Sequence, residues 1–217
     1  MLRDQAVSRI QRRLGFRTAS FKVQDIFDEL QNAQDELEEE FLKSPPWFLL
    51  TEMAEATTTA SEERLPLPSN FAAEYEEGFV YVYDSTKTDP WAELTKWFYG
   101  QLKAEYITEA QPVRYAIVGK DITLHPTPDA VYTIKMRYYK TDTDISLDET
   151  DTTFTNDWLT YAGRVIMNRA GMNMAESMKD RASSKFFENS FVVALKSVKD
   201  EIQARKMRNL NLVRSDI

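Results

Sequence analysis

Two apolar stripes of helical period, one towards each end of the chain, constrain the fold more than any other feature. From Val23 to Lys43, the residues Ile26, Leu30, Ala33, Leu37 and Phe41 recur at steps of four, three, four and four. That spacing places them on one face of a helix and leaves Asp and Glu on the other. Ser44-Pro45-Pro46 ends this helix, since proline cannot continue it and restricts the residue before it. From about Ser183 to Arg208, Phe187, Phe191, Leu195, Val198 and Ile202 make a second stripe. A stripe of this kind must be buried, and between the two the period changes to that of strands.

Shorter helical patterns accompany the long ones. Leu2, Ala6, Val7, Ile10 and Leu14 predict a helix over residues 1–15 with Gly15 at its C-cap. Thr155 or Asn156 caps a helix carrying Trp158, Leu159, Ala162, Ile166 and Ala170, with Gly171 expected to end it. The middle is β-rich. Thr57-Thr58-Thr59 suits a strand or extended link, and Leu65-Pro66-Leu67-Pro68 an edge strand. Phe79 to Tyr83 reads as a strand, and residues 115–124 as a hairpin turning at Gly119. From Val131 to Tyr139, Tyr132, Ile134, Met136 and Tyr138 alternate with Thr133, Lys135 and Arg137. Asp89-Pro90-Trp91 predicts one helix inside this block, running through Leu94, Trp97, Phe98 and Leu102.

The expected fold class is therefore α+β. A helical bundle is formed by the N- and C-terminal helices, residues 1–63 and 141–208, because each set has no apolar partner but the other. A β-rich insertion with one helix occupies 64–140, and 209–217 form an extended C-terminal tail.

Composition excludes several chemistries. With no Cys and one His, His125, there is no disulfide, zinc finger, thiolate nucleophile or multi-His metal site. The six glycines form neither a G-x-G-x-x-G run nor a Walker loop. Asp142-Thr143-Asp144 begins like a calcium loop, but Leu147 replaces its glycine and Thr153 its closing glutamate. Residues 142–157 read instead as a solvated acidic link. No catalytic, cofactor or metal residue is assigned. No signal peptide or membrane span is visible, and the chain reads as a soluble protein of a reducing compartment.

Charge is segregated. Residues 1–22 hold six basic side chains against one acid, and residues 23–63 hold one against twelve, within a total of −8. The C-terminal end is basic again. Such a division suits a subunit whose one face meets a different face of its neighbour around a ring. The acidic total argues against sequence-reading DNA binding.

An ordered set of segments resembles the head-to-tail adaptor (head-completion or connector) proteins of short-tailed, podovirus-like phages. It runs from Arg13-Leu14-Gly15-Phe16 through Pro46-Trp47-Phe48-Leu49 and Leu65-Pro66-Leu67-Pro68 with Phe71. Tyr115-Ala116-Ile117 to Gly119 and Ile122-x-Leu124-x-Pro126-x-Pro128-Asp129 follow. Tyr132 to Tyr138-Tyr139 and Asn156-Asp157-Trp158-Leu159 complete it, and the likeness covers about residues 1–205.

The resemblance implies a non-enzymatic ring, typically of twelve copies, under the portal protein. Such a ring extends the DNA channel and presents a surface to tail nozzle or tail fibre proteins. It implies a place in the virion neck after assembly in the bacterial cytoplasm, with DNA passing unbound and no membrane involved. On this reading Arg205, Lys206, Arg208 and Arg214 dock on the portal. Arg9, Arg12, Arg13, Trp47 and Phe48 meet the neighbouring subunit, and Glu36, Glu38, Glu39 and Glu40 line the channel. Three alternatives stay open: a related neck or tail-completion protein, a cell-wall hydrolase using two carboxylates, and a nucleic-acid-binding module using the basic helix and the aromatic strand.

Overall fold

The computed structural model describes residues 1–15, 22–51, 54–75, 79–83, 90–104 and 108–215. In chain order come α1 (Arg3–Arg13), α2 (Val23–Phe41), a 3-10 turn (Trp47–Leu49), β1 (Ala54–Thr57), β2 (Arg64–Pro66), β3 (Phe71–Glu74) and β4 (Val80–Tyr83). Then follow β5 (Trp91–Glu93), β6 (Thr95–Lys96), α3 (Tyr99–Ala104), β7 (Arg114–Val118), β8 (Asp121–His125), β9 (Thr133–Met136) and β10 (Tyr138–Lys140). The long helices α4 (Asp157–Ser177) and α5 (Arg181–Ser215) close the chain.

The chain divides into two units, Met1–Leu49 with Asp142–Ile217, and Leu50–Thr141. The fold is α+β, and the first unit is built from helices of both chain ends. The expected boundary at 63/64 falls inside the second unit, because β1 pairs with β9.

In the helical unit, α4 packs against α1, α2 and α5. The α2 stripe is buried as its period requires, from Ile26 to Phe41. Trp158 on α4 is fully buried, its ring 5.9 Å from Phe41 and 5.1 Å from Phe48. Asn156 caps α4, its side chain accepting from the Leu159 N–H at 2.8 Å. Gly15, at φ 71°, follows the end of α1.

Two helix ends depart from the sequence reading. Gly171 does not end α4, which runs on to Ser177. The stop is a Schellman motif at Lys179, with Lys179 N–H bonded to Glu176 O and Asp180 N–H to Ala175 O, both at 2.9 Å. Lys179 adopts φ 56°, a conformation that favours glycine. Lys179→Gly should therefore stabilise the helical unit by about 0.5–1 kcal/mol, read as a higher melting temperature. Residues 209–215 continue α5 and are not an extended tail. No Gly or Pro follows Gly171, so nothing in the sequence stops the last helix.

The acidic link is tied down from inside. Arg3 is fully buried, and its guanidinium donates to the carbonyl oxygens of Ser146, Asp148 (3.0 Å) and Asp151 (2.6 Å). Its carbon lies 4.0 Å from the centre of the Phe27 ring, and Asp4 at 3.1 Å supplies the counter-charge. Hydrogen bonds from the Thr150 hydroxyl and N–H hold the Asp148 carboxyl below its usual range. A cation therefore does sit within the link, but it is a side chain of α1.

The second unit holds two four-stranded sheets, ordered β1-β9-β4-β5 and β2-β8-β7-β6, and the pair β10-β3. The β7–β8 hairpin turns through Gly119 and Lys120, with Gly119 at φ 65°. Proline-bearing β2 is an edge strand. In β9, Ile134 and Met136 point into a core with Phe79, Val80, Leu124 and Tyr138. The expected helix from Asp89 is replaced by β5 and β6, and among the described residues the helix of this unit is the short α3. Asp89 itself lies outside the described residues. Trp91 instead pairs across strands with Tyr83, ring centres 5.1 Å apart, and this contact overrides the Asp-Pro start signal.

Candidate interaction surfaces

The four glutamates of α2 separate into different environments. Glu38 faces the fold, where Oε1 accepts from Trp158 Nε1 (2.9 Å), Gln34 Nε2 (3.1 Å) and Asp142 N–H (3.2 Å). It is half-buried and ties α2 to the link and to α4, so it does not look outward to line a channel. Glu36 contacts Arg169 at 2.5 Å and Glu40 contacts Lys199 at 2.6 Å. These exposed pairs join α2 to α4 and α5 and add little to stability. Glu39 is exposed on the outer face beside Asp35.

Burial raises the Glu38 carboxyl above its ordinary value of 4.5, and this outweighs the hydrogen bonds it accepts. A raised folded-state value means that the folded protein holds this proton more tightly than the unfolded chain does. The contribution of Glu38 to stability thus declines as pH rises from 4.5 through the raised value, and is level above it. Glu38→Gln should remove that slope. In thermal melts across this window, the variant should gain on the wild type as pH rises.

Of the basic candidates on α1, Arg9, Arg12 and Arg13 are exposed. Arg13 lies over the Phe186 ring at 4.0 Å, on α5. Arg9 borders a groove of about 1040 Å³ floored by α4 and α5, with Arg164, Phe186 and Val193 along it. Phe186, Val193 and Tyr161 are unusually exposed for apolar or aromatic side chains, at 45%, 71% and 55%.

Trp47 and Phe48 part company. Phe48 is buried against Trp158 and stacked on Tyr161 at 5.3 Å, which makes it core and not a contact for a neighbour. Trp47 is half-buried, with the Arg205 guanidinium 4.1 Å above its ring. Arg205 also pairs with Glu201 one turn back at 3.0 Å. Lys206 is partly buried, and Arg208 and Arg214 lie outside the residues whose side chains are described.

In the aromatic strand of the second unit, the tyrosines are drawn into the fold to different degrees. Tyr138 is buried and its hydroxyl donates to Asn70 at 2.8 Å, while the Tyr132 hydroxyl donates to Asp129 at 2.7 Å. Lys135 and Tyr81 stand in one cross-strand row with Glu55 and Glu93, so the basic residue there sits between acids. Among the described residues no three His, Asp or Glu side chains gather to hold a metal. None of the helices, over the described residues, is long and apolar enough to cross a membrane.

Of the residues singled out by sequence, Glu36, Glu38, Glu40, Arg13 and Arg205 meet partners within the helical unit, while Arg9, Arg12 and Glu39 lie exposed on its surface. The SU10 adaptor protein family model matches residues 2–214, and the chain belongs to that family. It is therefore a phage adaptor protein of the virion neck, as the ordered segments suggested. No curated protein matches it.

Proposed function

We propose that the protein is a head-to-tail adaptor that assembles as a twelve-copy ring on the portal, extends the DNA channel and gives tail nozzle or tail fibre proteins their attachment surface. The family match across residues 2–214 carries this reading. The ring forms in the bacterial cytoplasm during virion assembly, and DNA passes through without specific binding. The acidic total supports passage without adhesion, since a DNA-gripping surface needs a basic footprint.

The end of α5 is the portal arm. The last buried side chain described on this helix is Ile202, and the helix runs on to Ser215. Arg205, Lys206, Arg208 and Arg214 give that segment the charge to meet acidic portal residues. Mixing the purified protein with its portal and imaging the product tests the whole reading, and a ring cap on the portal is the expected result. Removing residues 205–217 should abolish capping. A truncated chain that caps as well as the full one would refute the arm, and a full chain that never caps would refute the adaptor role.

A further inference from the structure

The helical unit carries two surfaces of opposite character on different flanks of α4. One is the groove between α1, α4 and α5, lined by Arg9 and Arg164, by apolar Phe186 and Val193, and, among the described residues, by no acidic side chain. The other is the outer face of α2, where Glu29, Asp35, Glu36 and Glu39 lie with Asn32 and Asn173. On α4, Arg164 faces the groove, while Arg169 and Asn173 face α2. At ~100° per residue these positions lie about 140° and 180° round the helix from Arg164. One copy cannot bring its own two surfaces together.

We propose that the occupant of the groove is the α2 face of a second copy of this chain. Charge complementarity supports the choice: an acid-free groove rimmed by arginine, and a helix face dominated by carboxylates, occur on the same unit. Glu36 and Glu40 are already paired with Arg169 and Lys199, so Asp35 and Glu39 are the residues that reach the neighbour's Arg9 and Arg164. Phe186 and Val193 supply apolar area beneath the ion pairs. Because the two surfaces differ, the contact is head-to-tail, and repeated around an axis it closes a ring. This inference rests on the ring reading above and assigns its subunit contact. It also places the α2 acids against a neighbour and not in the channel.

Reciprocal charge reversal tests it. One variant carries Arg9→Glu with Arg164→Glu, and a second carries Asp35→Lys with Glu39→Lys. Either alone sets like charges against each other at every contact, and association between copies should weaken by roughly a hundredfold or more. Mixed in equal amounts, the two variants alternate around the ring, every contact is complementary again, and loading on the portal should return. That recovery cannot come from misfolded chains. Copies per portal are counted by mass photometry. Loss by each variant alone with recovery on mixing supports the pairing. Loading like the wild type by each variant alone overturns the pairing and leaves the ring standing. Loss without recovery on mixing also overturns it. Failure of the wild type to load overturns both.

Discussion

Arg3→Met should lower the stability of the helical unit by about 2–4 kcal/mol, because hydrogen bonds from a charged donor to three carbonyls are lost together. The side chain is fully enclosed, and three carbonyls of the acidic link, at Ser146, Asp148 and Asp151, depend on it for donors. Methionine fills a similar volume but donates nothing, so those carbonyls lose their donors, and Asp4 loses its counter-charge. For a chain of this size the melting temperature should fall by about 4–16 °C. Arg3→Lys keeps the charge, but one ammonium cannot span three carbonyls in the way a guanidinium fork does, and its effect should be intermediate. Hydrogen exchange at residues 146–154 should accelerate in both variants, because the backbone of the link loses its anchor. Wild-type melting by Arg3→Met would show that solvent satisfies the link without Arg3.

The position of Arg3 was legible in principle. It precedes Val7 by one turn and Ile10 by two, so it stands on the apolar stripe of α1 and not among the outer arginines. Gln34 likewise stands between Leu30 and Leu37 on the α2 stripe, and it is buried with its amide donating to Glu38 and accepting from Asn156. A polar residue on an apolar face signals a buried network, but the partners of that network come from the link far along the chain. Helix periods placed α2, α4 and α5 because a long stripe repeats the same message many times. Strand alternation placed β9 and the hairpin for the same reason. What remained hidden depended on a distant contact. Trp91 becomes a strand residue only because Tyr83 is beside it. Glu38 looks like one of four equivalent acids until Trp158 arrives. The surfaces were partly legible as charge segregation, but which acids were committed to Arg169 and Lys199 was not.

Gly171 is the second position where a small change should have a large effect. Glycine inside a helix normally weakens it, and alanine there would normally gain about 1 kcal/mol. Here a Cβ would lie 2.7–2.8 Å from three ring carbons of Phe187. Phe187 is itself buried and cannot swing into solvent, so α4 and α5 would have to move apart. Overpacking of this kind costs typically 1–3 kcal/mol, more than the helix gains, and Gly171→Ala should be net destabilising. Gly171→Leu should prevent α5 from docking. Phe187→Leu alone should also destabilise, by loss of ring packing, yet combined with Gly171→Ala it should cost less than the sum of the two, because the smaller side chain makes room for the methyl group. Thermal melts of the two single variants and the double variant give the coupling directly. Simple additivity would mean that the helices already tolerate a methyl group at this crossing, and that glycine stands there for some other reason than the approach of Phe187.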